Sequence, residues 1–235
     1  METLPDALAL AQTMVDIGKL AGKPVVAVIT SMAQPLGTHI GNALEVKDAI
    51  DVLAGRTQGD LLEISLLLGS HMLLLAEKAK TLPEARAMLE NALSSGAGLR
   101  KLAEMIAAQG GDPRVVEDLS LLPQAEVKRV MRAEMAGYLS AMDTTALGMA
   151  AQRMGAGRAK KSDMLDYSVG YVLHVRLGDE VTEDTLLATL YARNEAEAEE
   201  AEKAIRKALT IAKEKPSVPP LWDAVVTAEG ITYNR

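Results

Sequence analysis

Apolar residues at the start of the chain recur at helical spacing, with Leu8, Ala11, Val15 and Leu20 available for one face. Thr3 stands as N-cap and Pro5 in the first turn, so the pattern predicts a helix over Leu4–Leu20. The period then changes. Val25–Thr30 is a short β-branched apolar run behind the breakers Gly22 and Pro24, too short for a buried helix, and it predicts a parallel strand buried on both faces. Pro35 and Gly37 turn the chain, and the spacing of Ala43, Leu44, Val46, Ala49, Ile50 and Leu53 predicts a helix over Asn42–Leu53, with Gly55 at its C-terminal cap. Open α/β sheets bind ligands at the carboxyl ends of their strands, which singles out the loop Ser31–Asn42 for chemistry.

Helical patterns continue over about Asp60–Ala79, Leu82–Leu93 and Gly98–Gln109, opened by Gly59 and Thr81 and closed by Gly96, Gly110 and Gly111. A lone parallel strand makes no sheet, so its partners lie either in weakly patterned segments or outside this chain. The character changes near Leu122, and Pro123 marks the expected boundary between a domain at 1–122 and one at 123–235. Short strands are expected at Val127–Ala133 and Tyr138–Ala141, then a helix from the cap Asp143-Thr144 to Met154, ended by Gly155-Ala156-Gly157. Further strands are expected at Tyr167–Arg176 and Leu186–Ala192 around a turn at Gly178-Asp179, then a charged helix over Glu195–Lys213 and an edge strand at Trp222–Thr227. This sheet-rich stretch is similar to the hammerhead domains of biotinyl and lipoyl carriers. A carrier needs a lysine in its hairpin, and Leu177–Asp184 contains none.

Composition narrows the functional classes. The chain has 235 residues, 49% of them hydrophobic, enough for one large core or two modest ones. Its longest apolar stretch, Leu61–Ala76, is interrupted by Glu63, Ser65, Ser70 and His71, short of the roughly 20 apolar residues a membrane span needs. The start carries acidic Glu2 and Asp6 rather than a basic segment, so no signal peptide is expected and a cytoplasmic setting is. The absence of cysteine excludes disulfides, thiol nucleophiles and Cys-ligated metals. A net charge of −7 and 3% aromatics argue against a nucleic-acid partner. Only Arg158-Ala159-Lys160-Lys161 is locally basic.

The run Ile29–Ile50, ITSMAQPLGTHIGNALEVKDAI, closely resembles the signature loop of the pyrimidine nucleoside phosphorylase and thymidine phosphorylase family. Matching blocks follow in order: Glu104-Met105 with Ala108–Asp112, Met142-Asp143 with Ala146–Gly148, Gly155–Arg158, and Asp166–Gly170. The resemblance covers nearly the whole chain up to a short divergent tail. It implies an α/β fold: the remainder of a central α/β domain, mostly helices plus one parallel strand, followed by an α+β hammerhead-like C-terminal domain. The implied reaction is reversible phosphorolysis, in which phosphate attacks the anomeric carbon of a pyrimidine nucleoside to give the base and a pentose 1-phosphate.

Members of that family are longer, and their phosphate loop, catalytic histidine and pyrimidine-holding residues precede the stretch matched by Met1–Leu4. The resemblance therefore assigns no catalytic residue here, and implies a chain inactive without an N-terminal complementing part. It does imply a share of one site, a monovalent cation, potassium, held by the carbonyls of Leu36 and His39 and by the Asp48 side chain, the remaining ligands lying in the missing loop. The family has Ala at the His39 position and Glu at the Asp48 position, where Asp reaches less far. Family members are homodimers through the N-terminal helical domain, so dimerisation does not carry over to this chain.

Plainer readings stand beside these. Asp48 is by default a solvated helical carboxylate and His39 a loop residue. His71 and His174 are partly buried structural histidines. Glu195, Glu197, Glu199, Glu200 and Glu202 form a solvated helix face, and the twelve methionines are core filler. Arg158, Lys160 and Lys161 belong to a surface turn. A non-catalytic binding or regulatory module that keeps the hammerhead domain is the competing function.

Overall fold

The computed structural model describes residues 3–234; Met1, Glu2 and Arg235, and with them the first positions of the expected family match, lie outside the described residues. In chain order the elements are α1 (Leu4–Leu20), β1 (Ala27–Thr30), β2 (His39–Ile40), α2 (Asn42–Leu53), α3 (Asp60–Leu75), α4 (Leu82–Ser94), α5 (Ala97–Ala108), β3 (Val127–Arg132), β4 (Gly137–Met142), α6 (Thr144–Ala151), β5 (Gly170–Leu173), β6 (Glu180–Val181), β7 (Leu186–Ala192), α7 (Glu195–Ala208), β8 (Leu209–Ala212), β9 (Trp222–Thr227) and β10 (Gly230–Tyr233). Helices and sheets are mixed, as an α/β segment followed by an α+β domain requires. Two compact units interleave along the chain: one holds the described residues of Met1–Ser31, Gln58–Ser95 and Pro219–Arg235, the other Met32–Thr57 and Gly96–Val218. Contacts thus group the chain otherwise than a cut at Pro123 does, because the tail returns to the first segment.

In the first unit, Thr3 accepts the Asp6 amide at 3.3 Å to start α1. The buried face of α1, Ala11 and Val15, packs with Leu8 against Val25, Ala27, Ile29 and Val226. The sheet order is β1-β9-β10, antiparallel throughout. Two expectations are corrected here. The strand after Pro24 is not parallel but antiparallel to the tail, and it is only half-buried. Trp222–Thr227 is not an edge but the central strand: Pro216, Pro219 and Pro220 precede it and remove no ladder donor, while Ala224, Val225 and Val226 are buried. α3 and α4 pack as a hairpin, and α3 stops at Leu75, before the expected Ala79, where Glu77 turns left-handed (φ 55°).

The second unit contains two antiparallel sheets, β2-β5-β7-β3 and β6-β4-β8. Their inner faces supply Met131, Tyr171, Leu173, Leu187 and Leu190 on one side and Leu139, Met142 and Val181 on the other, joined by Leu147 and Met154 and by Ala198, Ala201 and Ile205 of α7. Each large side chain so buried contributes roughly 1.5–3 kcal/mol. Tyr171 is fully buried and donates its hydroxyl to the Leu147 carbonyl at 2.8 Å, and burial pushes its phenol pKa well up. A second cluster joins Ile50 of α2 to Leu99, Leu102 and Ile106 of α5 and to Val115 and Val116 of a 3-10 turn. The charged helix ends at Ala208 rather than Lys213, because Leu209–Ala212 pairs with β4 as a strand. Its acidic face is partly paired rather than merely solvated: Glu202 accepts Arg129 at 2.6 Å and Arg206 at 2.9 Å. Nor are the methionines uniformly core: Met32 is 74% and Met164 90% exposed.

Candidate functional site

The loop after β1 is held from several directions. Ser31 donates its amide to the Leu221 carbonyl at 3.0 Å within the first unit. From Met32 onward the loop belongs to the second unit, where Thr144 Oγ1 donates to the Met32 carbonyl at 3.1 Å and the Leu177 amide donates to Gln34 Oε1 at 3.0 Å. The Arg176 guanidinium donates to the Pro35 carbonyl at 2.7 Å, to Gly37 at 3.4 Å and to Leu36 at 3.5 Å. The Thr38 carbonyl accepts the Leu173 amide at 2.8 Å, which starts the pairing of β2 with β5.

Where β2 gives way to α2, two backbones meet without side chains between them. A Cβ on Gly41 would lie 2.4 Å from the Val169 carbonyl oxygen, and one on Gly170 2.1 Å from that of Ile40; both residues have positive φ, 136° and 148°. Only glycine fits at either position. Around this contact the Ala43 amide donates to Tyr167 O at 3.0 Å, Asn42 Nδ2 to Ala156 O at 2.8 Å and the Asp166 amide to Gly155 O at 3.0 Å. The motif blocks 29–50, 155–158 and 166–170, far apart in sequence, thereby converge on the N-terminus of α2.

Of the candidate cation ligands, Asp48 is brought onto the loop from one turn and a half into α2. It is 4% exposed, not a solvated carboxylate. The Thr38 amide donates to its Oδ2 at 3.2 Å, and His39 Nδ1 lies 3.5 Å from Oδ1 and 3.0 Å from Thr38 Oγ1. Burial lowers the His39 pKa, more than the neighbouring Asp48 and Asp51 raise it, so the ring is neutral at pH 7. The buried Asp48 carboxylate therefore faces a neutral imidazole in His39 rather than a cation. Leu36 is 39% exposed, with its carbonyl at the Arg176 guanidinium. Main-chain carbonyls and a carboxylate are the donors a hard monovalent cation prefers, so the residues present suit that ion in kind. Among the described residues no three His, Asp or Glu side chains gather as a metal cluster.

The other histidines lie elsewhere. His71 is buried on α3, its Nε2 without a hydrogen-bond partner, and burial lowers its pKa. His174 is exposed, Nε2 lying 2.8 Å from Thr189 Oγ1. Sequence reasoning passed over Arg176, Gln34 and Thr38, whose partners lie far along the chain or in the backbone. The alternation that placed Arg176 at a strand end carried no sign of what its guanidinium meets.

Along the chain a tight loop and helix start precede a two-sheet domain, and two family models match in that order. Residues 2–99 match the model of the glycosyl transferase family a/b domain, and residues 138–212 that of the pyrimidine nucleoside phosphorylase C-terminal domain. The chain is 49% identical over 195 residues to the pyrimidine-nucleoside phosphorylase of Geobacillus stearothermophilus, a match covering 83% of this chain and 45% of that protein. With the pyrimidine-nucleoside phosphorylase of Staphylococcus aureus strain USA300 it is 43% identical over 227 residues, 97% of this chain and 52% of the relative. It belongs to the pyrimidine nucleoside phosphorylase family. The chain spans about half the length of the curated relatives it matches. No helix among the described residues is long and apolar enough to cross a membrane.

Proposed function

We propose that this chain is the C-terminal portion of a cytoplasmic pyrimidine nucleoside phosphorylase of nucleoside salvage, supplying scaffold and one wall of the site rather than the reacting groups. The observation that carries this reading is the identity of 43–49% with phosphorylases over most of the chain. In the proposed reaction phosphate displaces the base at the anomeric carbon of a pyrimidine nucleoside, and the protein acts mainly through positioning and electrostatics. Leu36 and His39, through their carbonyls, and Asp48, through its carboxylate, are the proposed share of a potassium site. These groups would hold the ion, which would supply positive charge beside the loop.

The upstream part is proposed as a complementing partner. Leu10, Met14 and Ile17 of α1, 47%, 54% and 61% exposed, form a second apolar stripe beside the buried face of Ala11 and Val15. β1 pairs only with β9 among the described residues, leaving its other edge open. Both features support packing by the remainder of the phosphorylase fold, the partner whose sheet and helices would continue this one.

The test is phosphorolysis of uridine and thymidine by the purified chain, alone and with the N-terminal half of a homologous phosphorylase. The expected result is no turnover alone and turnover on complementation. Turnover by the chain alone at the rate of an intact enzyme would overturn the assignment of catalysis to the upstream part.

A further inference from the structure

Three successive main-chain carbonyls, those of Pro35, Leu36 and Gly37, converge on the guanidinium of Arg176, at 2.7, 3.5 and 3.4 Å. Consecutive carbonyls seldom aim at one point, because their dipoles repel unless a positive charge sits at the focus. The guanidinium suits this duty: it is planar, always charged, and its fork of donors serves several acceptors at once. It is also planted firmly. The Arg176 amide donates to Asp179 Oδ2 at 2.7 Å, and the adjoining Leu177 amide holds Gln34 at 3.0 Å, so arginine and loop are tied together on both sides of the contact.

We propose that the Arg176 guanidinium is a resident cation for the carbonyls of Pro35, Leu36 and Gly37, and that a monovalent metal ion takes over this duty when the guanidinium is removed. The Leu36 carbonyl is claimed by both: by Arg176 in the structure and by potassium in the proposed site. Two positive charges drawing on one carbonyl oxygen oppose each other. Arg176 therefore keeps the loop ordered without potassium and makes the ion's hold on this chain weak. The inference rests on the cation reading of this loop, and Arg176 acts through the loop as a positioning residue.

Its test is the thermal midpoint of the 235-residue chain and of its R176Q and R176K variants, in choline chloride and in potassium chloride at equal ionic strength, with hydrogen exchange at the Thr38 amide as the local readout. The unaltered chain is expected to show the same midpoint in both salts. R176Q is expected to fall by about 4 °C in choline chloride, with faster exchange at Thr38, and to recover at least half of both losses in potassium chloride. R176K, which keeps a charge but not the fork, is expected to lose less and to recover less. The proposal is overturned if R176Q matches the unaltered chain in choline chloride, if potassium restores nothing, or if the unaltered chain gains as much from potassium as R176Q does. Should R176Q fail to fold, R176K decides: a lysine variant that falls in choline chloride and regains stability in potassium supports the proposal, and one indifferent to potassium overturns it. These readouts need no phosphorolysis, so a failure of the catalytic reading leaves them intact, and their failure leaves the complementation result unchanged.

Discussion

The two compact units differ in how their largest apolar clusters are closed. The unit of Met32–Thr57 and Gly96–Val218 buries Tyr171, Leu139, Leu147, Leu187 and Leu190 almost completely between two sheets and two helices. The other has a buried cluster of Ala11, Val15 and Val226, yet leaves Ile17 61%, Leu20 89% and Met72 68% exposed on its helices. Both draw on comparably apolar sequence. The difference is layering: the two-sheet unit closes its core within the described residues, whereas α1 has a sheet on one side only. An apolar stripe with nothing on it stabilises nothing in the chain as it stands, however regular its spacing.

Substitutions break or sharpen that contrast. The largest effect is expected for Leu190→Ala, which opens a cavity in the closed core and should cost about 3–4 kcal/mol in denaturant unfolding, while Ile17→Ala on the open stripe should cost within about 0.5 kcal/mol. Equal losses would show that α1 is covered and the contrast false. Next comes Gly170→Ala. Its new Cβ would lie 2.1 Å from the Ile40 carbonyl at a φ of 148°, and it should cost roughly 2–3 kcal/mol, with raised hydrogen exchange at Ala43. An alanine variant of undiminished stability would mean that β2 and β5 separate freely, and that the motif blocks need no glycine contact to converge.

The smallest effect concerns pH and His71, in the first unit. Burial lowers its pKa from 6.5 in the folded chain, so below that value the unfolded chain binds more protons and stability falls as the pH drops toward the folded pKa. His71→Leu removes both this loss and the orphaned Nε2, and should stabilise by about 1 kcal/mol at pH 5 and by less at pH 7.5. A gain that does not grow on acidification would show that His71 is free to protonate where it stands.

Much of the helical layer was legible from spacing and caps: Leu4–Leu20 and Asn42–Leu53 fall where Thr3, Pro5 and Gly55 punctuate them. Strand partners were not legible. The short run Ala27–Thr30 carries the same apolar signal whether its neighbour is parallel or antiparallel, and its neighbour here lies at the other end of the chain. Leu209–Ala212 continues the periodicity of α7, but pairing with Tyr138–Met142 wins over helix propensity. The same limit applies to the candidate site. Ser31–Asp48 stood out as a loop, yet the burial of Asp48 and the grip of Arg176 on Pro35 depend on residues many positions away.

By itself, then, the sequence determined the family, the helices and the loop worth watching, because periodicity, caps and motif spacing are local or matched in order along the chain. The tertiary structure decided which strands pair, which carboxylate is buried and which cation meets the loop carbonyls. Those outcomes depend on distances across the fold, and no local pattern of side chains encodes them.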